Sequence, residues 1–182
     1  QVLQSAIGQG EWAVTPLQMA NVACTIANNG VRYQPHLVDS IWDYNHENCV
    51  EEIDPVVAGE IKPTSDEVFQ YVESGMIAAS TNNFPTQYSL QNLGFDVAIK
   101  TGTPQVDGRV QDSFFIGYAP AENPEIAFAG VIEGGEYSKY MIRSILKAYE
   151  DRFVHPADPA TTTTAAASAA GTTTATTVSP NE

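Results

Sequence analysis

Three apolar segments follow one another closely between residues 95 and 132, and they constrain the fold more than any other feature of the chain. Residues 95–101, Ser113-Phe114-Phe115-Ile116-Gly117-Tyr118-Ala119 and Ile126-Ala127-Phe128-Ala129-Gly130-Val131-Ile132 read as strands, rich in aromatic and β-branched residues and bounded by turn formers. The links between them are short, one being Pro120-Ala121-Glu122-Asn123-Pro124, so neighbouring strands pair antiparallel. An amphipathic helix over 138–152 comes next, with Met141, Ile142, Ile145, Leu146 and Tyr149 facing inward. Lys139, Arg143 and Lys147 lie at i, i+4 and i+8 and read as a solvated stripe. Strands paired this way and covered by helices make an α+β fold.

Upstream, Thr15-Pro16-Leu17-Gln18 is a helix start: Thr15 caps, Pro16 suits the first turn and Gln18 completes a capping box. The helix to Ala27 is apolar nearly all round, which predicts burial, and Asn28-Asn29-Gly30 ends it with residues that tolerate positive φ. Gly8-Gln9-Gly10 predicts a tight loop before it. His36 to Trp42 and Cys49 to Ile53 predict a hairpin around a polar turn over 43–48. A second capping box, Thr64-Ser65-Asp66-Glu67, opens a helix with Val68, Val72, Met76 and Ala79 on one stripe, closed by Asn82-Asn83-Phe84-Pro85.

The 182 residues suffice for one domain with a real core. A net charge of −14, from 8 Lys plus Arg against 22 Asp plus Glu, disfavours nucleic acid and anionic lipid as partners. It also repels an anionic substrate, so a carboxylate needs a local cation. There is no apolar run long enough to span a membrane, so no membrane contact is expected from this segment itself. The opening Gln1-Val2-Leu3-Gln4 reads as part of something longer. Cys24 and Cys49 could pair, but Cys24 falls within the apolar helix and reads as a free thiol. The three histidines show no metal-ligand spacing, and neither metal nor cofactor is assigned. From Pro156 the composition changes: nine Thr and eight Ala fill 27 residues without one Lys or Arg. Residues 1–155 therefore read as the folded part and 156–182 as a disordered spacer, unable to bury enough apolar surface to offset its ordering entropy.

The chemistry centres on Lys100-Thr101-Gly102-Thr103 at the end of the first strand. In a strand, Lys100 and Gly102 project to one side and Thr101 and Thr103 to the other. An ammonium here can hold a carboxylate or bias the pKa of a nearby nucleophile. Gly102 removes a side chain where a peptide-like substrate would lie alongside the strand. The Thr103 amide can face a developing oxyanion, and losing one such donor costs roughly 10²–10³ in rate.

Several blocks resemble the penicillin-binding protein transpeptidases. They are Ala6-Ile7-Gly8-Gln9-Gly10, Val14-Thr15-Pro16-Leu17-Gln18-Met19-Ala20-Asn21, Thr25-Ile26-Ala27-Asn28-Asn29-Gly30, Lys100-Thr101-Gly102-Thr103-Pro104-Gln105 and Phe115-Ile116-Gly117-Tyr118-Ala119-Pro120. With the strand 126–132 they run from residue 5 to about 150, in the order expected for the C-terminal half of that domain. The resemblance implies a β-lactamase/transpeptidase-like fold to which this chain supplies the C-terminal strands and flanking helices. It implies a serine acyl-transferase that cross-links D-alanyl-D-alanine stem peptides of peptidoglycan and is acylated by β-lactams. By position, Lys100 would support the proton network and the substrate carboxylate. Thr101 and Thr103 would offer hydroxyls to that carboxylate, and the Thr103 amide half of the oxyanion hole. The expected partners are stem peptides, β-lactams and the N-terminal remainder of the parent protein. That parent is expected on the extracytoplasmic face of the bacterial membrane.

The family also needs a Ser-x-x-Lys helix start and a Ser-x-Asn loop ahead of the strand. Ser144-Ile145-Leu146-Lys147 matches the first but follows Lys100, and Ser80-Thr81-Asn82 matches the second but lies only 20 residues before it; both read as chance matches. The chain thus holds one wall of an active site without its nucleophile. Pro104 and Phe114 depart from the usual pattern, where a small residue and a tryptophan are commoner. Asp112 reads as a loop residue before orienting substrate, and Arg109 as a solvated arginine before serving as a second cation. The competing readings are a serine β-lactamase or β-lactam sensor on the same fold, and a scaffold domain that has lost its chemistry.

Overall fold

The computed structural model describes residues 13–65, 67–103, 108, 110–135 and 137–154. The loop expected at Gly8-Gln9-Gly10, Pro104, Arg109 and the Thr/Ala-rich tail lie outside the described residues.

The expected strands form a three-stranded antiparallel sheet, β5 (Ala98–Gly102), β6 (Ser113–Ala119) and β7 (Ile126–Ile132), in the order β5-β6-β7. Two of the three strands have the expected bounds; β5 begins later than 95 because Phe95 and Asp96 belong to the preceding loop. Alternation assigns residues to faces. Ala98, Lys100 and Gly102 share one face with their partners Tyr118, Ile116 and Phe114, whereas Ile99 and Thr101 share the other with Gly117 and Phe115. The first face is covered by α1 (Pro16–Ala27) and α2 (Val68–Asn82), through Met76 packed with Ala98 and Tyr118 and flanked by Ile26, Ala27 and Ile77. The second is covered by α3 (Ser138–Tyr149), whose Ile142 and Leu146 meet Ile99, Phe115 and Ala119. The sheet is the middle of three layers.

Close packing across the sheet depends on glycine. A Cβ at Gly117 would sit 2.5 Å from the Ala98 carbonyl oxygen and 2.7 Å from the Phe128 ring, so the bare backbone lets that ring lie across the strand.

The helices correct several expectations. Both halves of the Thr15 capping box form, with Gln18 N donating to Thr15 Oγ1 and Thr15 N to Gln18 Oε1. Yet α1 is not buried all round: only Ala23 and Thr25 are, while Leu17 is 63% and Val22 43% exposed, because the helix covers the sheet with one side alone. Asn29 and Gly30 take positive φ of 51° and 96°, as expected of its end. At α2 the second capping box does not form. Glu67 occupies the cap position without a side-chain cap bond, and its carboxylate accepts from the Tyr71 hydroxyl. Helix α3 ends at Tyr149, and a wider turn (Glu150–Val154) continues the chain.

Residues 31–60 form two nested antiparallel pairs. The inner pair, β2 (Ser40–Trp42) with β3 (Cys49–Glu52), is the expected hairpin with shorter arms. Its turn is held by Asp43, which accepts from Glu47 N and Asn48 Nδ2; these bonds, that of Asn48 foremost, lower its pKa. The outer pair, β1 (Val31–Tyr33) with β4 (Val57–Glu60), was not foreseen, since three residues are too few to show a period. Cys24 is half-buried, Cys49 is exposed, and both are free.

Candidate functional site

Strand β5 begins in the core and ends at the surface. Val97, Ala98 and Ile99 are at most 1% exposed, whereas Lys100 is exposed, Thr101 and Gly102 are half-buried and Thr103 is exposed. The apolar half anchors the strand between the helical layers, so the polar half is presented on a rigid support. Because β5 pairs with β6 alone among the described strands, its outer edge can accept an extended peptide.

The strand separates the four motif residues. Lys100 emerges on the α1/α2 face, where its ammonium donates to the Thr101 carbonyl oxygen. Thr101 and Thr103 instead line a groove on the α3 side, with a volume of about 400 Å³. Gly102 and Thr103 complete its near bank, and the first turn of α3, Ser138 to Tyr140, forms the far bank together with Tyr137. Ser113 lies between the banks, and Pro85 and Tyr88 close one end. A Cβ at Gly102 would meet nothing in the protein closer than Phe114 Cβ at 3.9 Å, so internal packing does not require glycine there.

Two supports hold the groove. Tyr88 and Tyr140 pack edge to face at 5.6 Å, and Asp112 accepts from Gly134 N at 2.8 Å, tying the start of β6 to the turn before α3. The loop reading of Asp112 therefore holds. The stripe Lys139, Arg143 and Lys147 is not merely solvated, which corrects the expectation. Lys139 reaches over the Phe84 ring and lines the groove, Arg143 donates to the Ser89 carbonyl, and Lys147 pairs with Glu150 and Asp151. Ile145, expected inward, is 43% exposed.

The chance serine motifs are occupied elsewhere. Ser144 donates to the Tyr140 carbonyl of its own helix, and Lys147 belongs to the ion pairs just named. Ser80 is buried and donates to the Ile77 carbonyl. Neither serine lines the groove. A larger cavity of about 610 Å³ opens near Phe95, Pro120 and Phe153, but its charged lining is Asp96, Glu122 and Glu125, which repel a carboxylate.

Sequence reasoning missed Ser113, Tyr137, Ser138 and Lys139 as groove residues. They lie 10 to 36 residues beyond Thr103, and only the antiparallel return of the chain brings them to it. The one available signal was a helix starting without a Ser, Thr, Asp or Asn cap, since Tyr137 holds that position.

The family description "Penicillin binding protein transpeptidase domain" matches residues 1–149. The chain is 34% identical over 141 residues to the peptidoglycan D,D-transpeptidase PbpA of Mycolicibacterium smegmatis, covering 72% of this chain and 26% of that protein. It is 32% identical over 145 residues to penicillin-binding protein 2A of Bacillus subtilis, covering 72% of this chain and 20% of that one. The chain thus spans a fifth to a quarter of the length of these curated relatives. Its fold is similar to that of penicillin-binding protein A from M. tuberculosis, solved as an imipenem acyl-enzyme complex, with TM-score 0.64 and 26% identity over 79% of this chain and 32% of that one. Matched by that family over residues 1–149, this chain belongs to the penicillin-binding protein transpeptidase domain family.

Proposed function

We propose that this chain forms the C-terminal wall of the active site in a peptidoglycan D,D-transpeptidase, a serine enzyme that β-lactams acylate. One observation carries the reading: a rigid strand edge with a free glycine position, Thr101-Gly102-Thr103, borders a groove sized for a peptide end, with Lys100 on its other face. In this reading the stem peptide lies along β5 as an added strand. The Thr101 and Thr103 hydroxyls hold its acidic terminus, and the Thr103 amide stabilises the tetrahedral oxyanion. Lys100, on the opposite face, serves the proton network of a nucleophilic serine supplied by chain preceding Gln1. Residues 1–155 make up the domain part and 156–182 a spacer, and the parent works on the extracytoplasmic face of the membrane. Among the described residues no helix is long and apolar enough to cross a membrane.

The test uses the full-length protein and a fluorescent penicillin. Wild type labels covalently, and Lys100→Ala lowers the acylation rate about 100-fold or more, the scale of general acid–base assistance. Ser144→Ala leaves the rate unchanged. Wild-type labelling in Lys100→Ala would remove that lysine from the chemistry, and loss of labelling in Ser144→Ala would make Ser144 more than a helix-surface residue.

A further inference from the structure

The bank of the groove opposite β5 is built to receive an anion. Helix α3 is 12 residues long, and its first turn, Ser138, Lys139 and Tyr140, lines the groove. The amides of a helix's first turn have no partner within the helix and carry the positive end of its dipole. Here no side chain caps them: Tyr137 occupies the cap position without a cap bond. Lys139 lines the same bank, and its Nζ lies over the Phe84 ring, 6.0 Å from the centroid, beside the groove end at Pro85.

An independent observation comes from the groove's other side. Ser113 is 2% exposed and lines the groove, yet its Oγ is the one buried side-chain polar atom without a hydrogen-bond partner among the described residues. A buried hydroxyl left unpaired in a native fold calls for an occupant. By alternation along β6 it belongs to the same sheet face as Thr101, on the α3 side. Thr101, Ser113, Lys139 and a helix N-terminus therefore line one groove from two sides.

We infer that the first turn of α3, with Lys139 and Ser113, completes the subsite for the carboxylate of the acyl donor, making these two side chains determinants of specificity for acidic-ended substrates. This rests on the transpeptidase reading above. It divides the labour of the two lysines: Lys100 serves the nucleophile's face of β5, and Lys139 the carboxylate's face. It also answers the charge problem, since a chain of net charge −14 concentrates an ammonium and a helix dipole where an anion must enter.

The experiment compares acylation of the full-length protein by a fluorescent penicillin and by its methyl ester, which lacks the charge. Wild type is expected to prefer the acid. Lys139→Gln should lower the acid's rate about tenfold, the scale of one charge-assisted hydrogen bond, and leave the ester's within about twofold. Lys139→Arg should restore the preference. Ser113→Ala, which removes an orphaned hydroxyl and so does not threaten folding, should lower the acid's rate about threefold to tenfold and spare the ester. An acid-to-ester ratio unchanged from wild type in both Lys139→Gln and Ser113→Ala would overturn the subsite while leaving the transpeptidase reading intact. Failure of wild type to react with either compound would overturn both.

Discussion

The sheet β5–β7 and the paired strands of residues 31–60 are both antiparallel β-structure, yet they are built on opposite terms. In the sheet, Ala98, Ile99, Phe115, Tyr118 and Ala119 are at most 1% exposed, and helices cover both faces. In the nested hairpins Leu37, Tyr44 and Val50 stand 103%, 92% and 68% exposed, and among their strands α1 packs chiefly on β1. The hairpins are held by turn chemistry and ladder bonds, the sheet by burial from two sides. In the function proposed above, a strand that positions Thr101, Gly102 and Thr103 beside a peptide needs the second kind of support.

Substitutions can break or sharpen this contrast. The largest effect is expected from Gly117→Val, whose side chain would strike the Ala98 carbonyl and the Phe128 ring; it should cost about 4 kcal/mol in urea unfolding, because backbone yields less than a flexible side chain. Leu146→Ala empties a fully buried position under the same sheet and should cost about 3 kcal/mol. A loss below about 1 kcal/mol at either site would mean that the sheet is not packed from both faces.

Next comes a pH effect. The Tyr118 hydroxyl sits in the core beside Glu73, and burial first, then that carboxylate, push its pKa from 10.0 up to about 12. The folded state thus favours the neutral phenol more than the unfolded chain does. Its contribution is fully present below pH 10 and is lost as pH rises from 10 to 12. Tyr118→Phe should remove that part of the alkaline decline; an unchanged alkaline midpoint would contradict the buried phenol.

Smaller still, Val50→Ser in the hairpins should change stability by about 0.5 kcal/mol or less. The smallest structural effect belongs to Gly102→Ala, which the chain itself accommodates and which should shift stability by about 0–0.5 kcal/mol. It should nonetheless slow penicillin labelling about tenfold or more, because the added methyl meets the ligand rather than the protein. Equal labelling would show that nothing approaches the strand at that position.

Much of this architecture was legible in the residues. The strands 113–119 and 126–132 announced themselves because aromatic and β-branched runs on either side of a Pro120-to-Pro124 turn leave few other conformations, and Thr15-Pro16-Leu17-Gln18 because its capping is local. The Lys-Thr-Gly-Thr edge was legible for the same reason: alternation along one strand needs no partner. Other expectations failed where a neighbour intervened. The box at Thr64 gave way to a helix opening at Val68, and the apolar α1 kept Leu17 outside because one face sufficed for the sheet. The lysine stripe of α3 looked like surface because helical spacing cannot reveal that Lys139 overhangs a groove.

Local order along the chain thus determined strands β6 and β7, the first helix cap, the acidic character and the opposed directions of Lys100 and Thr101, all of which follow from backbone geometry and composition. Only the tertiary structure decided that Ser113 and the uncapped start of α3 face Thr101 and Thr103 across one groove. The physical reason is that such a meeting depends on how the sheet turns the chain back on itself and on which face α3 covers, and burial sets both through contacts between residues far apart in sequence.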